Sequence, residues 1–244
     1  MSDSRTADLR ASLTAARERV AAAERAAGRG PGEVTLLVVT KFFPAEDVQR
    51  LLGLGVREFG ESREPEASRK IAEVRAAGPG AAFDADMIGR LQRKKSRSVA
   101  RWARRVHSVD SVELVESLDG AVRRCLDDGE RTEPLGVLLQ VSLDGDPARG
   151  GLVEADLAGV GDSVVSHDET LRLDGLMVIA PVGIAPDAAM ARASQIRERF
   201  LVDHPEAEVF SAGMSGDLES AIAHGSTCVR VGTAILGERP IVSP

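Results

Sequence analysis

The alternation of apolar and polar positions divides the chain into two regimes. From Leu9 through Leu13, Ala16, Val20, Ala23 and Ala27 the apolar residues recur at helical spacing, with arginines and glutamates between them. Gly28 and the Gly30-Pro31-Gly32 cluster end that helix. Beyond it, short apolar runs alternate with helical periodicities. The runs predict strands at 34–40, 56–59, 86–89, 105–109, 135–141, 173–179, 209–212 and 228–231. Val48, Leu51 and Leu52 follow Pro44 at a first helical position, with Glu46 and Asp47 at the positive end of the helix dipole. Ile71 and Val74 mark a further helix, and Asp110 with Glu113 reads as a capping box ahead of Leu114, Leu118, Val122 and Cys125. Ala189, Ala193, Ile196 and Phe200 form a face after Pro186, and Leu218, Ala221 and Ile222 follow Ser215.

Eight strands alternating with helices over 244 residues have the count and size of a (β/α)8 TIM barrel, in the α/β class. An open doubly wound sheet is the runner-up, because closure is not written in a sequence. Residues 1–33 read as an added N-terminal helix packed on the barrel, and residues 34–244 as the barrel itself. No fixed-period repeat or long linker divides the chain.

Composition adds limits. An apolar fraction of 43% and a charged fraction of 28% describe a soluble globular protein. Cys125 and Cys228 form neither a disulfide framework nor a metal-ligand spacing, so both are expected to be buried, reduced thiols. The first residues, with Asp3, Arg5 and Asp8, lack the apolar core of a signal peptide, and no run approaches the roughly 20 apolar residues of a membrane span. A cytoplasmic location is expected. A net charge of −7 argues against general affinity for nucleic acid. The basic stretch 90–105 holds Arg93, Lys94, Lys95, Arg97, Arg101 and Arg104 without an acid, which would suit an interaction module. Without interleaved aromatics it reads better as a solvated helix face.

Candidate chemistry sits where a barrel keeps its active site, at the carboxyl ends of the strands. The run Leu36-Leu37-Val38-Val39-Thr40 suits a strand buried on both faces, and it ends on Lys41. After the seventh strand, Ser211-Ala212-Gly213-Met214-Ser215-Gly216-Asp217 runs into a helix. Its glycines admit close backbone approach and Ser215 offers a hydroxyl. After the eighth, Arg230-Val231-Gly232-Thr233 adds a glycine and a hydroxyl, with Arg230 and Gly232 on one face by alternation. Either loop alone is a tight turn. Together, after strands seven and eight, they predict a phosphate site. Lys41 is then either a solvated charge or a nucleophile for a carbonyl. Attack requires a neutral amine, which a partly desolvated mouth beside a cation such as Arg230 favours. Strands one and eight adjoin in a closed barrel, so a phosphorylated aldehyde could span both. Pyridoxal 5′-phosphate (PLP) is the ligand type that fits.

The segments Val38-Val39-Thr40-Lys41, Phe59-Gly60-Glu61, Ile88-Gly89-Arg90-Leu91-Gln92, His107-Ser108-Val109-Asp110-Ser111, Gly175-Leu176-Met177, Gly213-Met214-Ser215-Gly216-Asp217 and Val229-Arg230-Val231-Gly232-Thr233-Ala234-Ile235 resemble, in order, those of the YggS/PROSC family of PLP homeostasis proteins. The resemblance implies a barrel like the N-terminal domain of alanine racemase, with PLP as a Schiff base on Lys41. It also implies phosphate held around Ser215, Gly232 and Thr233, and Arg230 near the pyridine ring or the phosphate. Ser62, Pro65, Asp86, Arg90, Lys94 and Ser142 depart from the family pattern. Ser62 and Ser142 reach less far than the asparagines they replace.

A racemase of the alanine type needs two bases, the second a tyrosine from another domain. This chain has no tyrosine and few residues beyond the eighth strand, so that domain is expected to be absent. An arginine beside the pyridine nitrogen would weaken the electron sink of most PLP enzymes. His107 at the end of strand four reads as a structural hydrogen-bonder or a base, His224 as a helix-end residue, and His167 and His204 as polar-loop residues. The expectation is a non-catalytic PLP binder, with apo-PLP enzymes as recipients, no nucleic-acid or membrane partner, and a monomeric or weakly dimeric state. The alternatives are a PLP-dependent racemase or lyase, or a Schiff-base aldolase, acting through Lys41.

Overall fold

Eight parallel strands, each an apolar run bounded by turn residues, close into a barrel in chain order in the computed structural model, which describes residues 4–77, 82–146, 149–181 and 183–239. The strands are β1 (Thr35–Val39), β2 (Glu58–Glu61), β3 (Asp84–Met87), β4 (Arg105–Val109), β5 (Leu135–Val141), β6 (Leu171–Val178), β7 (Val209–Ser211) and β8 (Cys228–Val231). Closure is made by β1 on β8, with Thr35 opposite Cys228 and Val38 opposite Val231. Residues 1–3 and 240–244, inside the ranges given above, lie outside the described residues. The (β/α)8 barrel is therefore the fold, and the open sheet is excluded.

The strand positions follow the apolar runs except at β2 and β3, which sit two residues from the expected 56–59 and 86–89. The reason is charge. Glu61 and Asp86 are strand residues that lie buried, where apolar periodicity does not look for them. Around the barrel run α1 (Ser4–Ala26), α2 (Ala45–Gly53), α3 (Glu66–Ala76), α4 (Ser96–Ala100), α5 (Val112–Asp127), α6 (Glu154–Val165), α7 (Pro186–Asp203), α8 (Leu218–Ala223) and α9 (Thr233–Leu236). The N-cap of α5 is Ser111, whose Oγ accepts from the Leu114 N–H at 3.3 Å, and not Asp110 as the capping-box reading has it. The helix α6 falls outside the expected helices, although Leu157, Val160 and Val164 bury one face of it.

Two apolar layers hold the helices to the sheet. One joins α5, α6 and α7 to the outer faces of β3 to β7. The other includes Leu9, Leu13, Ala16, Val20 and Ala23 of α1 together with Val38, Val48, Leu51, Leu218, Ile222, Ile235 and Leu236. Each fully buried aliphatic side chain contributes about 1.5–3 kcal/mol. The apolar stripe of α1 therefore suffices to dock that helix. Both thiols are buried, and burial raises each above its ordinary value, Cys228 to about 11. No helix among the described residues is long and apolar enough to cross a membrane.

The basic stretch is tied into the fold. Arg97 pairs with Asp128 and Glu130, and Arg101 with Glu130. Arg104 bonds Asp84 and Asp86, and Arg105 bonds Asp174 at 2.6 Å. Asp174 marks a register shift between β5 and β6, where Val137 faces Leu173 and Leu138 faces Gly175. The extra residue aims Asp174 at Arg105 and Arg172. It also puts Gly175 at φ 151°, with an added Cβ only 1.9 Å from the Val209 carbonyl oxygen. Gly175→Ala is expected to lower unfolding free energy by at least about 2 kcal/mol in urea denaturation, through a φ that favours glycine and a backbone clash. Gly120→Ala, inside α5 with its nearest neighbour at 3.9 Å, is expected to raise it by about 0.5–1 kcal/mol. An unchanged Gly175→Ala midpoint would refute the bulge.

Candidate functional site

The first strand delivers its lysine from a fixed mount. Thr40, just past β1, donates its N–H to the Gly60 carbonyl at 3.0 Å and its hydroxyl to Glu61 Oε1 at 2.7 Å. Lys70 Nζ of α3 closes the triangle, donating to the Thr40 carbonyl at 2.8 Å and to Glu61 at 2.7 Å. Thr40 and Glu61 are buried, so this ion pair sits in a low-dielectric setting with its hydrogen bonds satisfied. The backbone then turns through Phe42 at φ 71°, a left-handed conformation uncommon for a bulky residue. That turn sends Phe43 into the core and leaves Lys41 and Phe42 exposed at the barrel mouth.

Lys41 lines a cavity of about 330 Å³ together with Phe42, Ile88, Met214, Ser215, Gly216, Arg230, Gly232, Thr233 and Arg239. This volume is within the range of small-ligand sites. The five predicted site residues, Lys41, Ser215, Arg230, Gly232 and Thr233, thus meet at one cavity. Among the described residues Lys41 Nζ makes no hydrogen bond or ion pair, and lies 5.8 Å from the Phe42 ring centroid. It is exposed, so shielding from water falls to whatever fills the cavity. Two glycines line the wall, Gly232 for close packing on β1 and Gly216 with its backbone bare. A Cβ on Gly232 would come within 3.0 Å of the Val39 carbonyl oxygen, and one on Gly216 would enter open space. Phe42 and Arg239 lacked a sequence signal. Their ring–guanidinium contact at 4.1 Å to the centroid is a tertiary event between the two ends of the chain.

Ser62 and Ser142 do not line this cavity. The Ser142 Oγ accepts from the Gly145 N–H at 3.0 Å, a local turn. His204 lies just past α7, as its C-cap, but its surroundings are not polar: it is buried with its ring 4.7 Å from that of Phe200. His224 bonds Asp187 at 2.9 Å on the surface.

Arg230, among the described wall residues the one that is both charged and buried, is held by a polar line across the barrel interior. Its Nη1 donates to the Ser211 carbonyl at 2.8 Å and to Ser211 Oγ at 2.7 Å, and Nη2 to the Val178 carbonyl at 2.8 Å. Ser211 Oγ lies 3.1 Å from His107 Nδ1, and His107 Nε2 lies 3.0 Å from Asp86 Oδ2. Burial, the largest influence on His107, pushes its pKa down and keeps the ring neutral. The carboxylate at Nε2 and the hydroxyl at Nδ1 then select the Nε2–H tautomer. All donors run one way: Arg230 to Ser211, Ser211 to His107, His107 to Asp86. Burial acts to raise Asp86, but the hydrogen bonds from His107 and Arg104 outweigh it and hold the carboxyl down, at about 2. His107 thus takes the structural role of the two expected for it, in the middle of β4.

A barrel whose mouth brings an amine, unpaired among the described residues, to two loops of glycine and hydroxyl residues defines a class, and the comparisons agree on it. Residues 11–240 match the family described as alanine racemase, N-terminal domain. The pyridoxal phosphate homeostasis protein of Mycobacterium tuberculosis is 49% identical over 98% of this chain and 96% of its own length. That of Escherichia coli is 33% identical over 95% and 97%. The structure of PipY from Synechococcus elongatus with PLP bound superposes with a TM-score of 0.78 at 30% identity, covering 94% of this chain and 100% of that one. Alanine racemase from Corynebacterium glutamicum, at 15% identity and a TM-score of 0.64, shares the fold over 63% of its own chain. The chain belongs to the family of pyridoxal phosphate homeostasis proteins.

The polar line has a pH signature. The unfolded chain protonates its histidine below about pH 6.5 while buried His107 resists, so the unfolded state binds more protons and stability falls as pH drops through that value. Asp86 adds a second loss at lower pH. Its contribution is complete above its unfolded value of about 3.9 and is lost as pH falls toward its folded value. Denaturation midpoints are expected to decline from pH 7.5 to pH 5. His107→Gln, which can accept from Ser211 and donate to Asp86 without titrating, should flatten that slope; equal slopes would refute the assignment.

Proposed function

We propose that this chain binds PLP at the Lys41 cavity and serves PLP homeostasis, holding the cofactor as a Schiff base on Lys41. What carries the reading is the convergence of an unpaired amine and a two-loop anion cradle on one cavity. PLP supplies an aldehyde that condenses with an amine, with loss of one water, and a phosphate that needs donors. The residues present fit both demands. Lys41 Nζ is the amine, Ser215 and Thr233 offer hydroxyls, Gly216 leaves backbone open to an anion, and Gly232 lets β8 and the loop after it pack close on Val39 beside the cavity. Arg230, locked by Ser211 and Val178, presents a fixed cation at the cavity wall.

The chain acts as a holder rather than a catalyst in this reading. Among the described residues lining the cavity there is no carboxylate, imidazole, thiol or phenol. A racemization needs proton acceptors on both faces of its substrate, and Lys41 Nζ is the one amine base at hand. Apo-forms of PLP enzymes are the recipients this role implies, reached through a mouth whose rim leaves Phe42 and Met214 exposed.

Purified protein mixed with PLP is expected to show a visible absorption band that Lys41→Ala abolishes. Borohydride should fix the added mass on the peptide containing Lys41. Protein that stays colourless would refute the reading, and turnover of amino acids that is lost on Lys41 substitution would establish the enzyme alternative.

A further inference from the structure

The phosphate loop is gripped from behind by the N-terminal helix. On α1, Arg19 forms a paired contact with Glu219 of α8, Nε to Oε1 and Nη2 to Oε2, each at 2.8 Å. Its remaining terminal nitrogen, Nη1, donates to the Ser215 carbonyl oxygen at 3.2 Å. One planar guanidinium therefore fixes both the helix that follows the loop and a peptide unit inside the loop. That unit is the one between Ser215 and Gly216. In a trans peptide the C=O and N–H point in opposite directions. A carbonyl held toward α1 thus turns the Gly216 N–H away from α1, toward the cavity that Ser215 and Gly216 line.

We propose that Arg19 is a positioning residue for phosphate recognition, acting through the Ser215–Gly216 peptide and never touching the ligand. The inference rests on the PLP reading of the Lys41 cavity. It assigns a binding task to α1, which stands outside the barrel. The helix does not need Arg19 to stay docked, since Leu9, Leu13 and Val20 bury its apolar face. The pair itself is too open to contribute much to stability, with side-chain exposures of 40% for Arg19 and 54% for Glu219. A purely structural Arg19 would therefore be nearly silent on substitution. A positioning Arg19 would be silent in thermal stability and visible in phosphate-dependent binding.

The test compares two aldehydes that differ by the phosphate. PLP and pyridoxal are titrated against full-length wild type, Arg19→Ala and Arg19→Lys, with inorganic phosphate as a competitor of PLP. For Arg19→Ala the dissociation constant for PLP is expected to rise about three- to tenfold, the loss of one well-placed hydrogen bond. Inorganic phosphate should compete more weakly by a similar factor, pyridoxal binding should be unchanged, and the thermal midpoint should stay near that of wild type. Arg19→Lys, which keeps a donor within reach of the carbonyl, should recover part of the loss. PLP affinity unchanged in Arg19→Ala, or equal losses for PLP and pyridoxal, would overturn the proposal while leaving the PLP site standing. A wild-type protein that binds no PLP would overturn both.

Discussion

The pairing of β1 with β8 is the constraint on which the site depends. Lys41 and Arg230 come from opposite ends of the chain, and only closure of the sheet makes their strands neighbours, with Leu37 opposite Arg230 and Val38 opposite Val231. The carboxyl ends of β1, β7 and β8 then open onto one cavity, and an amine, two hydroxyls, a guanidinium and bare backbone arrive there without any further folding event. An open sheet would leave the same residues on two distant edges. The outer faces of the closing strands carry the apolar contacts to α1, α2, α8 and α9, so the layer that seals the barrel is also the layer behind the cavity.

Closure brings a difficulty inside. The interior holds Asp86, His107, Ser211 and Arg230, all buried, where an unsatisfied polar atom would cost about 1–3 kcal/mol. The structure meets this by ordering the donors in one direction from guanidinium to carboxylate, so that each acceptor meets a donor. Arg104 and Arg105 approach Asp86 from the other end of the barrel. The result is an Arg230 that cannot swing. In the PLP reading proposed above, a cation so fixed would hold the anionic ligand in one orientation, and the interior network is the physical reason for its rigidity.

What was legible in the sequence was what apolar alternation and loop chemistry encode. Eight strands, the lysine after the first and the loops of glycine with serine or threonine after the last two could all be read, because each depends on local residue pattern. The boundaries of β2 and β3 could not, since both strands carry charged residues, Glu58, Glu61, Asp84 and Asp86, whose partners Arg104, Lys70 and His107 lie elsewhere in the chain; of the four, Glu61 and Asp86 are buried. Phe42 and Arg239 escaped for the same reason, being a contact between residues far apart in sequence. The basic stretch 90–105 looked like one feature and is several: Arg97 and Arg101 secure the end of α5, while Arg104 and Arg105 serve the interior.

Two lysines near the first strand show how the fold separates structure from chemistry. Lys70 lies half-buried, with Nζ committed to the Thr40 carbonyl and to the buried Glu61. An amine so placed cannot turn to a carbonyl without abandoning a buried carboxylate, which would cost several kcal/mol. Lys41, one residue past the threonine that Lys70 secures, faces the cavity with no ion pair among the described residues. The first lysine makes the mount rigid so that the second can remain free. The same division recurs on the other side of the cavity, where Asp217 accepts from the Met214 N–H at 2.6 Å and shapes the loop that presents Ser215. Few groups face the cavity and many keep those groups still, a proportion that suits the holding role proposed above.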